Sequence, residues 1–173
     1  MSGLFAIPIG GLKEGRYNYD FDINSSFFGD FEESEVHEGE LKVRVEMDKR
    51  SSLMELNIRI NGVVNISCDR CLDVFRHPLN CENRLLVKFG KAHDDSDPDI
   101  ITIPPDEHEL DLKQYFYEYI LLAMPIQRVH PSGKDGKSTC DPLMIEKLKA
   151  HIVTEEPGPD PRWDELKKLI SNN

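Results

Sequence analysis

The sequence predicts an α+β protein with an antiparallel β-sheet, open or barrel-like, over about residues 15–90, followed by three C-terminal helices. Two patterns predict this class. Apolar and polar residues alternate over the first half of the chain, the period of half-buried strands, whereas after residue 110 apolar residues recur at helical spacing. At 173 residues with 39% hydrophobic side chains, the chain can bury one core. We therefore expect a single domain over residues 1–173.

The strand predictions rest on side-chain alternation. The stretch GRYNYDFDI places four apolar residues on one face: Tyr17, Tyr19, Phe21 and Ile23. Two further alternating runs flank the polar turn DKRSS and predict an antiparallel hairpin; their apolar positions are Leu41, Val43, Val45, Met47, Leu56, Ile58 and Ile60. Gly62 predicts a bulge or bend as the second run continues. The stretch LNCENRLLVKFG predicts one more strand.

The second half of the chain divides into an acidic segment and a helical segment. Residues 92–110 form a predicted acidic excursion with one short strand, DIITI. The helical part covers residues 111–171, and Asp111 and Pro125 are expected to begin and end its first helix. The stretches CDPLMIEKLKAH and PDPRWDELKKLI both place Asp before Pro, which predicts the starts of the second and third helices.

Composition excludes several classes of protein. No apolar run approaches the roughly 18 residues that a membrane span needs, so we expect no membrane partner. The N-terminus has neither the basic lead nor the small-residue cleavage site of a signal peptide. A cytoplasmic location is therefore expected. The net charge of −11 argues against a protein that binds nucleic acid over its whole surface.

Positive charge is concentrated in the middle of the chain. Residues 42–91 hold ten basic and six acidic side chains, a balance of +4 within a chain of −11. The functional interpretation is a local cationic surface for RNA or another partner, with five candidate residues: Arg59, Arg70, Arg76, Arg84 and Lys88. The alternative is that these side chains only solvate the outer face of the sheet.

Cys68 and Cys71 have the two-residue spacing that lets both thiolates face one tetrahedral metal ion. A structural zinc site needs four ligands. The Gly-rich stretch VHPSGKDGKSTC can fold back to add His130 and Cys140, so Cys68, Cys71, His130 and Cys140 form the candidate metal site. The residues alone favour plain burial of the cysteines as small apolar side chains, and a redox pair is a further alternative.

The sequence lacks the common catalytic motifs. The sequence holds no Gly-x-Ser-x-Gly elbow, no phosphate-binding glycine loop with Lys and Ser, and no His-Glu-x-x-His helix. We therefore expect a protein that is not an enzyme. A zinc- or thiol-dependent enzyme centred on Cys68 and Cys71 is the alternative.

Three motifs in order resemble the YceD family, which is linked to accumulation of large-subunit ribosomal RNA. CDRCLDVF is similar to its Cys-x-Arg-Cys-Leu-x-x-Phe motif, LDLKQYFYEYILLAMP to its Leu-Asp-Leu helix, and DPRWDELKKL to its terminal helix. Together they cover most of the chain from about residue 40 onward. The resemblance implies a non-catalytic role in a bacterial cytoplasm.

The leading hypothesis is an accessory factor for large-subunit (23S) ribosomal RNA accumulation, processing or ribosome assembly. Its expected partner is ribosomal RNA or a large-subunit assembly component, and its expected cofactor is at most one structural zinc. Besides the enzyme alternative, the acidic flanks suggest a protein-binding adaptor. The sequence leaves the oligomeric state open.

Overall fold

The computed structural model describes residues 3–32, 34–90, 100–133, 136–152 and 162. Its elements follow one another along the chain in this order: β1 (Ala6–Pro8), β2 (Gly15–Ile23), α1 (Ser25–Phe28), β3 (Glu38–Lys49), β4 (Leu53–Ser67), β5 (Val74–Phe89), β6 (Ile100–Ile103), β7 (Glu109–Asp111), α2 (Lys113–Leu122) and α3 (Pro142–His151).

The main sheet has five strands in the order β2-β3-β4-β5-β6. Its first four strands run antiparallel, each beside the next one along the chain. β6 joins the β5 edge in parallel orientation, and β1 pairs with β7 in a separate two-stranded sheet. The main sheet is therefore a meander extended by one parallel strand.

The chain is α+β, but the predicted arrangement within that class was wrong. The sheet is mixed because of β6, and in the described part of the chain it does not close, since β2 and β6 remain at opposite edges. Helix α1 precedes β3, so the helices are not all C-terminal. Alternation of side chains identifies a strand but not its direction. The four residues of β6 are too few to predict the direction of this strand or whether the sheet closes into a barrel. The third predicted helix lies outside the described residues, apart from residue 162.

Side-chain alternation correctly predicted the faces of the long strands. The apolar positions named above for β3 and β4 are all buried on one face of the sheet. The ladder continues through Gly62, which pairs with Leu41 on one side and Leu79 on the other, so the predicted bulge is not seen. Gly62 instead has φ +155°, and a Cβ there would lie 2.1 Å from the carbonyl oxygen of Glu40.

The inner face of the sheet forms the core together with α1, α2 and the N-terminal segment. Phe5 stacks edge-on against Phe27 at 5.0 Å and against Phe116 of α2 at 6.2 Å between ring centroids. Cys81 on β5 donates to the carbonyl oxygen of Tyr119 on α2 at 3.8 Å. The outer face carries the polar half of each strand, so one face of the sheet is buried and the other is solvated.

The two longer helices begin close to their predicted caps. The Asp141 side chain accepts from the Leu143 amide at 3.0 Å, with Pro142 at the first helical position of α3. Asp111 accepts from the Lys113 amide at 2.9 Å, although α2 begins one residue later than expected. In the described part of the chain, no helix is long and apolar enough to span a membrane.

Candidate metal centre

A tight turn, which we call the knuckle (residues 68–73), joins β4 to β5 and carries the first two cysteines. The Cys68 amide donates to the carbonyl oxygen of Asp73 at 2.9 Å, and the Leu72 amide donates to the carbonyl oxygen of Cys68 at 2.9 Å. The Arg70 amide points at the Cys68 sulfur at 3.5 Å. These bonds place Cys68 and Cys71 side by side, as their spacing predicted.

The second pair of side chains comes from a hairpin-like loop over residues 126–141, of which residues 126–133 and 136–141 are described. Ser132 and Ser138 form an antiparallel bridge, and the Gly136 amide donates to the carbonyl oxygen of Gly133 at 2.9 Å. Gly136 has φ +74°, a conformation that glycine adopts at little cost. The loop therefore reverses direction and returns Cys140 toward His130, as the Gly-rich stretch predicted.

The structure brings together all four residues of the candidate metal site, which we call the cysteine cluster: Cys68, Cys71, His130 and Cys140. Their four donor atoms lie within 4.8 Å of one another. The sulfurs of Cys68 and Cys140 are 3.7 Å apart, and the Cys71 sulfur is 3.4 Å from Nδ1 of His130. Side chains separated by 59 and 72 residues in the sequence thus converge on one point.

Burial and hydrogen bonding give the thiols of the cluster different acidities. Burial raises the pKa of the Cys68 thiol, but amides of Cys71, Arg70 and His130 donate to its sulfur and together lower the pKa to about 6. Burial raises the pKa of the Cys71 thiol, as do its contacts with the thiols of Cys68 and Cys140. The lowered pKa favours the thiolate of Cys68, the form that binds metal ions.

Apolar side chains pack against the cluster. Its three cysteines are at most 5% exposed, and they pack against four partly buried neighbours: Phe75, Val129, Met144 and Ile145. The Phe75 ring lies 4.7 Å from the His130 ring between centroids. This partly buried, apolar surrounding fits a structural site, because it limits the access of water to the donor atoms.

A clasp beside the cluster was not anticipated from the sequence. The Asp69 amide donates to the carbonyl oxygen of Arg128 at 2.7 Å, and the Arg128 amide donates back to the Asp69 carboxylate at 2.7 Å. The Arg128 guanidinium also pairs with Glu35. Because most of these bonds use backbone atoms, no side-chain spacing in the sequence could reveal them.

The donor set and its distances fit zinc. Tetrahedral zinc has bonds of about 2.3 Å to sulfur and about 2.0 Å to nitrogen, which separates its ligands by roughly 3.5–3.8 Å. The sulfurs of Cys68 and Cys140, and the Cys71 sulfur with Nδ1 of His130, have nearly these separations. Three thiols and one imidazole also match the Cys₃His set of structural zinc sites. The cluster can therefore hold a metal ion.

Cys81 and His77, which also carry side chains able to bind a metal ion, lie away from the cluster. Cys81 faces α2 through its contact with Tyr119, and the His77 ring stands edge-on to Phe75 with centroids 6.3 Å apart. Neither belongs to the group of donors around Cys68. All four cysteines are free thiols, so the cluster is not a disulfide.

The five cationic candidates do not form one patch of free charge. The Arg59 guanidinium donates to Glu46 at 2.9 Å and to Glu82 at 3.0 Å, and the hydrogen bond to Glu82 is the main reason that its pKa is raised. Arg84 pairs with Glu55 at 2.8 Å. Their positive charge is balanced by neighbours on the outer face of the sheet.

The other three candidates are exposed and, in the part of the chain that is described, form no ion pair: Arg70, Arg76 and Lys88. Arg70 lies in the knuckle, whereas Arg76 and Lys88 occupy outward positions twelve residues apart on β5. A strand rises about 3.3 Å per residue, so these two side chains are roughly 40 Å apart along the strand. Whether any of the five candidates binds a partner stays a prediction.

A family model described as large ribosomal RNA subunit accumulation protein YceD matches residues 56–170. The chain belongs to the YceD family. The matched span starts within β4, later than the resemblance suggested, and includes the knuckle, the loop over residues 126–141 and α3. The cysteine cluster therefore lies entirely within the YceD region.

Two other comparisons found nothing similar. No curated protein and no solved structure matches the chain. A functional proposal can therefore be based on membership of the YceD family.

Proposed function

We propose that this protein is a non-catalytic accessory factor for the accumulation of large-subunit ribosomal RNA and acts by binding RNA or an assembly component. The observation that carries the proposal is membership of the YceD family, whose description names that process. Three exposed basic side chains, Arg70, Arg76 and Lys88, form no ion pair in the described part of the chain. They are candidates for contact with the RNA or the assembly component.

The second part of the proposal is that the cysteine cluster binds one structural zinc ion. A catalytic zinc site keeps one position open for water or substrate, whereas a structural site uses four protein ligands. Cys68, Cys71, His130 and Cys140 supply four donors, and apolar neighbours pack against them. This favours a structural site over the zinc- or thiol-dependent enzyme, because no ligand position is left for chemistry.

Measurement of bound zinc tests the cofactor. We expect about one zinc per chain in the wild-type protein and at least tenfold weaker zinc binding for Cys140→Ser, since a serine hydroxyl is a poor replacement for a thiolate. The matched control is Cys81→Ser, because Cys81 is the cysteine outside the cluster. Equal zinc content in both variants would contradict the proposed site.

A deletion strain tests the function. We expect reduced large-subunit RNA relative to small-subunit RNA, and fewer complete large subunits in ribosome profiles. The wild-type gene should restore both quantities, and Cys140→Ser should restore less than Cys81→Ser. Normal RNA ratios and normal ribosome profiles in the deletion strain would refute the proposed function.

A further inference from the structure

Leu72 at the tip of the knuckle has an unusual backbone conformation. Its φ is +62°, and it is the only non-glycine residue with positive φ in the described part of the chain. The left-handed region costs an L-residue with a Cβ roughly 1–2 kcal/mol, and glycine adopts it at little cost. The knuckle thus carries a leucine where glycine would favour folding.

The Leu72 side chain does not recover this cost within the molecule. It is 70% exposed, and Val74, two residues further, is 62% exposed. Val74 lines a hollow of about 250 Å³ together with Ile66, and this hollow is rimmed by Glu35 and Glu38. Two exposed apolar side chains beside a small hollow form a feature suited to contact with another molecule.

Hydrogen bonds and packing on both sides hold the backbone at Leu72. The Leu72 amide is bonded to the carbonyl oxygen of Cys68, and the preceding residue, Cys71, is anchored in the cysteine cluster. Asp69 is held by Arg128 on the other side. A backbone held in this way loses little conformational entropy when the Leu72 side chain enters a pocket on a partner, which favours binding.

The charges around this tip favour a basic partner. The surface around the tip comprises the knuckle, the hollow beside Val74 and the adjoining hollow at Arg76. It carries five carboxylates and three guanidiniums. The acids are Glu35, Glu38, Glu40, Asp69 and Asp73, and the bases are Arg70, Arg76 and Arg128. The whole chain has a net charge of −11. The acidic excess at this surface favours contact with a cationic protein segment over contact with phosphate.

We propose that Leu72 and Val74 form a docking surface for a basic protein segment with an apolar pocket, carried by a protein of the large ribosomal subunit. This proposal rests on the proposed function and names its partner class. Leu72 supplies the apolar anchor, and the surrounding carboxylates orient the basic segment. The cysteine cluster holds the anchor in place.

The test uses Leu72→Gly, which removes the anchor and suits the backbone at φ +62°. The variant should fold and bind zinc as well as the wild type. Its matched control is Leu143→Ala, since Leu143 is 69% exposed on α3. A second variant, Val74→Thr, keeps the β-branched shape at the start of β5 but makes the side chain polar.

The probes are the individually purified basic proteins of the large subunit and, separately, protein-free large-subunit RNA. We expect the wild type and Leu143→Ala to bind at least one of these proteins equally. Leu72→Gly should raise the Kd at least tenfold, as is usual for loss of a central apolar anchor, and Val74→Thr should raise it less. Binding to the RNA alone, or equal Kd values for Leu72→Gly and the wild type, would overturn the docking surface.

Complementation separates this inference from the proposed function. If the wild type restores large-subunit RNA and Leu72→Gly restores it equally, the docking surface is refuted and the proposed function stands. If the wild type itself is not needed for normal RNA levels, the proposed function is refuted. A loss of restoration by Leu72→Gly, with normal restoration by Leu143→Ala, supports both.

Discussion

Gly62 and Leu72 take backbone conformations that most residues avoid, for opposite reasons. At Gly62 the adjacent strand passes so closely that the carbonyl oxygen of Glu40 and the Cα of Leu41 occupy the space of a side chain. At Leu72 the side chain points into solvent, so no neighbour requires its presence. The fold requires glycine at position 62, whereas Leu72 is explained by the proposed contact with a partner.

The close approach at Gly62 predicts the effect of a single methyl group. We expect Gly62→Ala to lower the free energy of unfolding by about 3 kcal/mol, since the new Cβ overlaps backbone atoms and φ +155° is strained for alanine. Urea denaturation measures the change. Gly29→Ala is the control, because its φ is −63° and its added Cβ would meet only an ordinary contact at 3.5 Å; equal losses in both variants would contradict this account.

At the scale of elements, the long antiparallel strands separate an apolar face from a polar face. Ile58 on β4 is fully buried, whereas Asn61 on the same strand points outward and is exposed, opposite Lys42 and Asn80. Arg59, between them, lies in its two ion pairs on the outer face. The outer face thus contributes solubility and exposed polar groups, and the inner face contributes stability.

This division predicts very different costs for two substitutions three residues apart. Ile58→Ala should lower the free energy of unfolding by roughly 2–5 kcal/mol, because it removes buried methyl groups and leaves a cavity. Asn61→Ala should change it by less than about 0.5 kcal/mol, since its side chain is exposed. Thermal or urea unfolding distinguishes the two, and a large loss for Asn61→Ala would show that the outer face is also packed.

The sequence predicted those elements whose pattern is long enough to be read. Alternation identified β2, β3 and β4 with the faces that point inward, and the stretch LNCENRLLVKFG identified the second part of β5 without its face. The four residues of β6 and the three each of β1 and β7 are too short for their partners to be inferred. Strand direction depends on how the chain returns to the sheet, which local side-chain pattern does not encode.

The ligands of the candidate site could be predicted from the sequence, but its backbone features could not. Ligand chemistry and spacing identified Cys68 and Cys71, and the glycine-rich loop pointed to His130 and Cys140. The backbone clasp between Asp69 and Arg128 could not be foreseen, because amide and carbonyl groups occur at nearly every residue. The conformation of Leu72 was also hidden, since no residue type except glycine signals positive φ reliably.

At the scale of the whole molecule, two unequal cores hold the chain together. The large core joins the inner face of the sheet to α1 and α2. The small core is the cysteine cluster with its four apolar neighbours, and it connects the knuckle to the loop over residues 126–141 and to α3. Helix α3 contributes no fully buried residue, so its attachment depends largely on the small core.

Removal of metal should therefore affect one part of the molecule. After chelation we expect hydrogen exchange to become much faster in the amides of residues 126–152, while β3, β4 and β5 stay protected by the large core. Hydrogen-exchange mass spectrometry of zinc-loaded and chelated protein measures this difference. Unchanged protection of α3 would show that the cluster does not anchor it, and loss of protection in β4 would show that the two cores unfold together.

The order of strands in the sheet also determines when the cysteine cluster can assemble during synthesis. β2, β3, β4 and β5 are neighbours in both chain and sheet and all lie before residue 90. His130 follows Cys71 by 59 residues, which a ribosome adds in about 3–12 s at roughly 5–20 residues per second. The hydrogen bonds that shape the knuckle lie almost entirely within it. The first half of the site can thus be in place while the chain is still growing, and the later loop completes it.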